Sequence, residues 1–302
     1  MPDLRLGGHE EAHGRRGKAM KDGRASFTAM AVAAARALAR DADPTAPSLL
    51  PAPLGPALRR WQSLPPWARA LRLAPRLASA GLVDHLDLRT AAIDRELRDA
   101  VDAGACTLVL LGAGFDGRAY RLECLRDVDV FEVDHPDTSA AKRRRAAGLT
   151  ARSRSLVHVE VDFDRTSVAS ALAEHGHDAA HPTVWIWEGV TPYLPADAIA
   201  ATLEAIADRS AAGSRLLMTY AVPDLVGRSA PVLEAVVRWG FASLGEPLRG
   251  AMEPHEARAL LARRGFSTLR DTTARQWAGS RRLAFHLARP LRAERLLVGQ
   301  MR

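Results

Sequence analysis

Apolar residues along this 302-residue chain change their spacing near residue 105. Before that point they recur at helical intervals. Ser26–Arg40 carries Phe27, Met30, Val32 and Leu38 among alanines, and the proline-rich stretch Asp43–Pro56 ends it. About Ala57–Leu82 predicts a second helical region, interrupted at Pro65, Pro66 and Pro75. Leu88–Ala103 predicts a third, with Ile93, Leu97 and Val101 on one face and Gly104 as its stop. Beyond residue 105 the apolar runs are short: Thr107–Leu111, Val128–Val133, Leu156–Val161, Val184–Trp187 and Leu216–Tyr220. Asp197–Arg209 is the clearest helix between them, Glu253–Arg264 is another, and Phe266–Leu269 and Leu283–Leu287 read as late strands.

Strands that are apolar throughout and alternate with helices belong to a parallel sheet covered on both faces. The expected fold class is therefore α/β, a doubly wound, mostly parallel sheet over residues 105–302 with an N-terminal helical cap over 26–104. Residues 1–25 hold five glycines and few apolar groups, which predicts a disordered tail.

With 47% apolar and 25% charged residues, the composition excludes whole-chain disorder and fibrous classes. The net charge of +7 comes almost wholly from arginine, since Lys18, Lys21 and Lys142 are the only lysines. These arginines are scattered among alanines, so an attraction for anionic small molecules is expected and nucleic acid is not. The run Lys142–Arg145 reads as cations complementing the end of a helix. Cys106 and Cys124 stand apart, without metal-ligand spacing, so neither a metal site nor a disulfide is expected and a reducing cytoplasm fits. The Ala-rich stretch near residue 30 is broken by Arg36, so no spanning segment and no membrane partner are expected.

The first strand runs into Gly112-Ala113-Gly114-Phe115-Asp116-Gly117, a GxGxxG pattern. Glycines there let a ligand approach the backbone where strand turns into helix. The second strand ends at Asp134, twenty residues after Gly114. A carboxylate at that tip can accept both hydroxyls of a ribose, and it can equally cap the helix that follows. Such a unit serves nicotinamide dinucleotides and S-adenosyl-L-methionine alike. The long helical lead-in, the dozen residues between Gly114 and the second strand, and the acids Asp116, Glu132, Asp162 and Glu188 favour the cationic methyl donor over a diphosphate.

Four motifs occur in order: Leu111–Leu122 around the glycines, Phe131-Glu132-Val133-Asp134-His135-Pro136, Val161-Asp162-Phe163, and Trp187–Leu194. Together they resemble the leucine carboxyl methyltransferase family, over roughly residues 26–300. The resemblance implies a class I, Rossmann-like methyltransferase that binds S-adenosyl-L-methionine. It implies that Gly112 and Gly114 lie against the cofactor, Asp134 holds the ribose, Asp162 meets the adenine amino group with Phe163 beside the ring, and Glu188 faces the α-ammonium. Arg89, in Arg89-Thr90-Ala91-Ala92-Ile93-Asp94, resembles the arginine that clamps the methionine carboxylate. Gly117 departs from the family, whose members usually carry Thr there.

The expected reaction is O-methylation of a carboxylate or hydroxyl on a small molecule, possible in secondary metabolism. Arg118, Tyr193 and Tyr220 are candidate substrate-wall residues; no general base is singled out. The alternatives are a nicotinamide-dependent oxidoreductase, for which no Tyr-x-x-x-Lys set is found, and a binding protein without chemistry.

Overall fold

In the computed structural model, the structure describes residues 27–39, 43–65, 67–68, 71, 73–79, 81–162, 166–223, 250–279 and 293–302. The expected tail, Phe163 and the expected strand Leu283–Leu287 lie outside the described residues.

Seven strands form one sheet: β1 Thr107–Leu111, β2 Asp129–Asp134, β3 Ser155–Glu160, β4 Thr183–Trp187, β5 Arg215–Ala221, β6 Phe266–Thr273 and β7 Glu294–Met301. Their order is β3-β2-β1-β4-β5-β7-β6. The pairings from β3 across to β5 are all parallel, while β7 runs antiparallel to both β5 and β6. The class I, doubly wound α/β expectation therefore holds. Chain order reverses between β1 and β4, and in open α/β sheets the crevice at such a switch point, beyond the strands' carboxyl ends, receives ligands.

Alternate residues of β1 show why the strands are apolar on both sides. Leu108 and Leu110 pack with Leu88, Ile93 and Leu97 of the long helix α5 (Leu82–Asp102), while Val109 and Leu111 pack with Ile199, Leu203 and Ile206 of the helix Ala196–Asp208. Helix α5 begins six residues before the expected start, because Gly81 in the left-handed region (φ 88°) opens it and Leu86 and Leu88 are already buried. The expected second helical region divides into α3 (Leu54–Gln62), which ends before Pro65, and α4 (Leu73–Ala78), whose first turn contains Pro75, so that proline does not interrupt a helix as expected. Helices α1 (Phe27–Leu38) and α2 (Ala46–Leu49) complete the N-terminal layer. Strand β7 was not among the sequence expectations. Its central Leu296–Val298 are fully buried between β5 and β6, but Arg295 and Gly299 shorten the apolar run that would have announced it.

Candidate functional site

The glycine loop is held to the tip of β2. The Gly112 and Ala113 amides both donate to the Val133 carbonyl, at 2.9 and 3.1 Å. Gly112 has φ 67°, and a Cβ there would lie 2.7 Å from Val190 Cγ2; Gly114 has φ 49°, with Ala29 of α1 only 3.0 Å from where its Cβ would be. Both positions are glycine for backbone conformation and close approach together. Gly117 is glycine for space alone: a Cβ would meet Thr45 Oγ1 and Asp43 Oδ2, which come from the segment before α2.

Asp134 closes this loop. Its Oδ2 accepts from the Gly114 amide at 2.5 Å and its Oδ1 from the His135 amide at 2.7 Å. Burial pushes its carboxyl above the ordinary value, against the pull of those two amides. His135 is the N-cap of the following helix, Pro136–Ala146.

Beside the loop, at the ends of β4 and β7, lies a buried ion cluster. Glu188 accepts 2.8 Å bonds from three guanidiniums: Arg36 Nη2, Arg89 Nε and Arg118 Nη1. Burial alone would raise the Glu188 carboxyl, but Arg36, Arg118 and Arg89 outweigh it and hold the group well below its usual range. Arg89 also donates to Glu294, the first residue of β7, at 2.9 Å to each oxygen. Arg118 donates to Asp94 on α5 at 2.7 Å and to Asp116 at 2.5 Å, and Arg36 reaches the same Asp116 at 3.2 Å. Against their own burial, Asp116 is lowered to about 2 by Arg118 and Arg36, and Glu294 to about 2 by Arg89 and His85.

A cavity of about 530 Å³ adjoins the cluster, lined by Arg36, Asp94, Arg121, Trp277 and the exposed Arg95 and Arg98. Arg36 is shared between this cavity and Glu188.

The sequence profile of the leucine carboxyl methyltransferases matches residues 29–207. A relative from Mycobacteroides abscessus, named as a candidate S-adenosyl-L-methionine-dependent methyltransferase, is 38% identical over 226 residues, 73% of this chain and 72% of its own. The chain belongs to the leucine carboxyl methyltransferase family. A relative of the same description from Frankia alni is 41% identical over 146 residues, covering 47% of this chain and 49% of that protein. One from Streptomyces coelicolor is 38% identical over 180 residues, or 56% and 59%. The chain thus spans about half the length of these curated relatives. Among solved structures, a DUF574 family protein from Streptomyces avermitilis shares the fold at TM-score 0.61 and 13% identity, over 93% of this chain and 99% of that one. A candidate methyltransferase from Thermobifida fusca does so at 0.60 and 17%, over 93% and 97%.

In this leucine carboxyl methyltransferase family member, the structure brings Arg89, Gly112, Gly114, Asp134 and Glu188 to one edge of the sheet, with Asp162 just past β3 on the same edge. Tyr193 sits in the turn Thr191–Tyr193 beyond β4, partly buried. Two of the substrate-wall candidates are placed elsewhere. Arg118 is fully buried, with Nε and Nη1 taken by acids of the cluster. Tyr220 is also fully buried: strand alternation sets it with Leu216 and Met218 in the core, and its hydroxyl donates to Asp271 at 3.0 Å. Nor is Lys142 a solvated end-of-helix cation. It is 1% exposed, with Nζ 2.7 Å from Glu132 Oε1.

Sequence reasoning missed Arg36, Asp94 and Glu294 as members of the cluster. Arg36 left a trace, as the lone cation inside an alanine-rich helix, and Asp94 stood in the quoted motif of Arg89. Glu294 left none, because its place depends on the unanticipated β7.

Proposed function

We propose that this chain is an S-adenosyl-L-methionine-dependent O-methyltransferase acting on the carboxylate or hydroxyl of a small molecule. The observation that carries the reading is the pairing of Arg89 with Glu188 beside a Cβ-free glycine loop, at the switch point of a class I sheet. These groups fit the amino-acid end of the cofactor. A guanidinium suits its carboxylate, a carboxylate kept ionised by its neighbours suits its ammonium, and Gly112 and Gly114 leave backbone open to close approach. Asp134 and Asp162 would hold the ribose and the adenine amino group.

When bound, the cofactor supplies an electrophilic methyl group on a sulfonium. The chain's part is positional. Proximity and alignment of acceptor and methyl donor supply much of the acceleration in such a displacement, and no covalent enzyme intermediate is needed. A carboxylate acceptor is ionised near neutral pH and needs no base, whereas a phenol, with a pKa of about 10, benefits from one. Tyr220 does not serve as that base, since burial and the nearby Asp271 push its phenol further up. Helix α1 is tied to the site through Arg36, which donates to Asp116 and Glu188.

Calorimetric titration with S-adenosylhomocysteine tests the reading. One site per chain is expected, weakened by about 1–3 kcal/mol in Asp134→Ala through a lost buried contact. Absence of heat with S-adenosylhomocysteine together with binding of NADH would replace this reading with an oxidoreductase. Transfer of a labelled methyl group to a panel of carboxylic and phenolic acids then identifies the acceptor class.

A further inference from the structure

Between Asp43 and Asp84 the chain has no acidic residue and no lysine, but it has five arginines: Arg59, Arg60, Arg69, Arg72 and Arg76. The same stretch holds six of the seven large apolar side chains that stand exposed among the described residues. Trp67 is 83% exposed, Leu71 and Leu77 are 56% exposed, and Leu54, Leu73 and Leu82 are also exposed. Arg76 is taken up by Asp84, whereas Arg59 and Arg60 lie exposed on α3. Monomeric proteins rarely concentrate exposed apolar groups in this way unless something covers them.

We propose that the surface carrying Arg59, Arg60, Trp67, Leu71 and Leu77 seats the protein on an anionic lipid bilayer, as a peripheral contact that does not span it. The charge pattern selects this occupant. A second copy meeting the same face across a two-fold axis would set the exposed Arg59 and Arg60 against their counterparts, with no acid between Asp43 and Asp84 to pair with them. An anionic headgroup layer offers the opposite charge in any register, and the acyl boundary beneath it accepts a tryptophan and leucines. Tryptophan is suited to that boundary, having an apolar ring with one polar N–H. The segment is short helices and turns, and no described helix is long and apolar enough to cross a membrane. The expectation of no membrane partner rests on that lack of a spanning segment and does not bear on a surface contact.

The test is co-sedimentation of the full chain with large unilamellar vesicles of phosphatidylcholine alone or with about 30% phosphatidylglycerol. Binding is expected to the anionic vesicles only, and to fall steeply as salt is raised. Arg59→Gln with Arg60→Gln is expected to lower partitioning by about 25-fold, at about fivefold per arginine near the surface. Trp67→Ser with Leu71→Ser and Leu77→Ser, all at exposed positions, is expected to abolish it with the circular dichroism spectrum unchanged. Arg143→Gln with Arg144→Gln, on the helix Pro136–Ala146, serves as a control and should leave partitioning unchanged. Failure to sediment with anionic vesicles overturns the proposal, as does equal binding by the serine variant. A patch variant that turns a dimer into a monomer while wild type ignores vesicles assigns the surface to a second copy instead. S-adenosylhomocysteine binding, measured alongside, is independent of every one of these outcomes.

Discussion

Replacing Glu188 with glutamine keeps the side chain's shape and removes one charge from the centre of three guanidiniums. In the native protein Arg36, Arg89 and Arg118 each donate to this carboxylate at 2.8 Å, and all three are nearly inaccessible to solvent. A hydrogen bond to a charged group contributes about 1.5–3 kcal/mol, but the three are coupled and do not add. The better guide is the cost of breaking a buried ion pair from one side, about 3–5 kcal/mol, because the remaining cations stay desolvated. Against a total stability of about 5–15 kcal/mol this is a large share. Urea denaturation at pH 7 is expected to show Glu188→Gln destabilised by that amount, with an unchanged slope. The folded carboxyl of Glu188 lies well below its usual range, so its stabilisation is complete above the unfolded value of about 4.3 and fades as pH falls towards the folded one. The gap between wild type and variant should therefore narrow on acidification below about pH 4. A difference under about 1 kcal/mol at pH 7, or one that stays constant into acid, would refute the idea that this cluster is buried and mutually dependent.

Gly117→Ala should destabilise by about 1–3 kcal/mol, since its Cβ would collide with Thr45 Oγ1, and adding Thr45→Ala should recover part of that loss in a thermal-denaturation double-mutant cycle; strict additivity would count against the contact. Lys142→Met should cost about 3–5 kcal/mol by leaving Glu132 buried beside His158 alone, and Glu132→Gln on top of it should restore stability. His177, buried between Phe131 and Trp185 and next to Arg209, is lowered to about 4, so its ring resonances should titrate with a midpoint near there. Because the unfolded ring takes up its proton first, at about pH 6.5, the neutral buried ring contributes stability above that value and loses it as pH falls towards about 4. A midpoint near 6.5 would mean that the site is open to water.

The sheet's first five strands were readable because most of their residues are apolar, most plainly in β1 and β4, each buried at all five positions, whereas β2 and β3 carry Glu132 and His158 within their runs. The same logic hid β7, whose buried core is three residues long between Arg295 and Gly299. Backbone demands were equally visible. Gly112 and Gly114 adopt positive φ, where other residues are strained, and they stood out as a motif. Partnership was not visible, since it is set by residues far apart in the chain. Arg118 reads alone as a cation able to meet an anionic acceptor, and only the arrival of Asp94 from α5 and Glu188 from β4 commits it to the interior. Tyr220 illustrates the opposite error. Its position at the end of β5 placed it on the ligand edge, but register decides which face a side chain takes, and there the face is core.

The cluster around Glu188 also links the cap to the site. Arg36 brings α1 to the end of β4, Arg89 brings α5 to the start of β7, and Asp116 brings the glycine loop to both through Arg36 and Arg118. An amino-acid headgroup entering here carries one ammonium and one carboxylate. Under the proposed reading Glu188 would hold the ammonium and Arg89 the carboxylate, so each of the two buried charges would meet an opposite one. A ligand with a single charge would engage only one of the two, leaving Arg89 with Glu294 or Glu188 with Arg36 and Arg118 as before. Discrimination for a zwitterionic headgroup thus follows from the same pairing that stabilises the fold: Arg89→Met should lower affinity for S-adenosylhomocysteine far more than for adenosine, and equal losses for the two would show that Arg89 does not meet the amino-acid end.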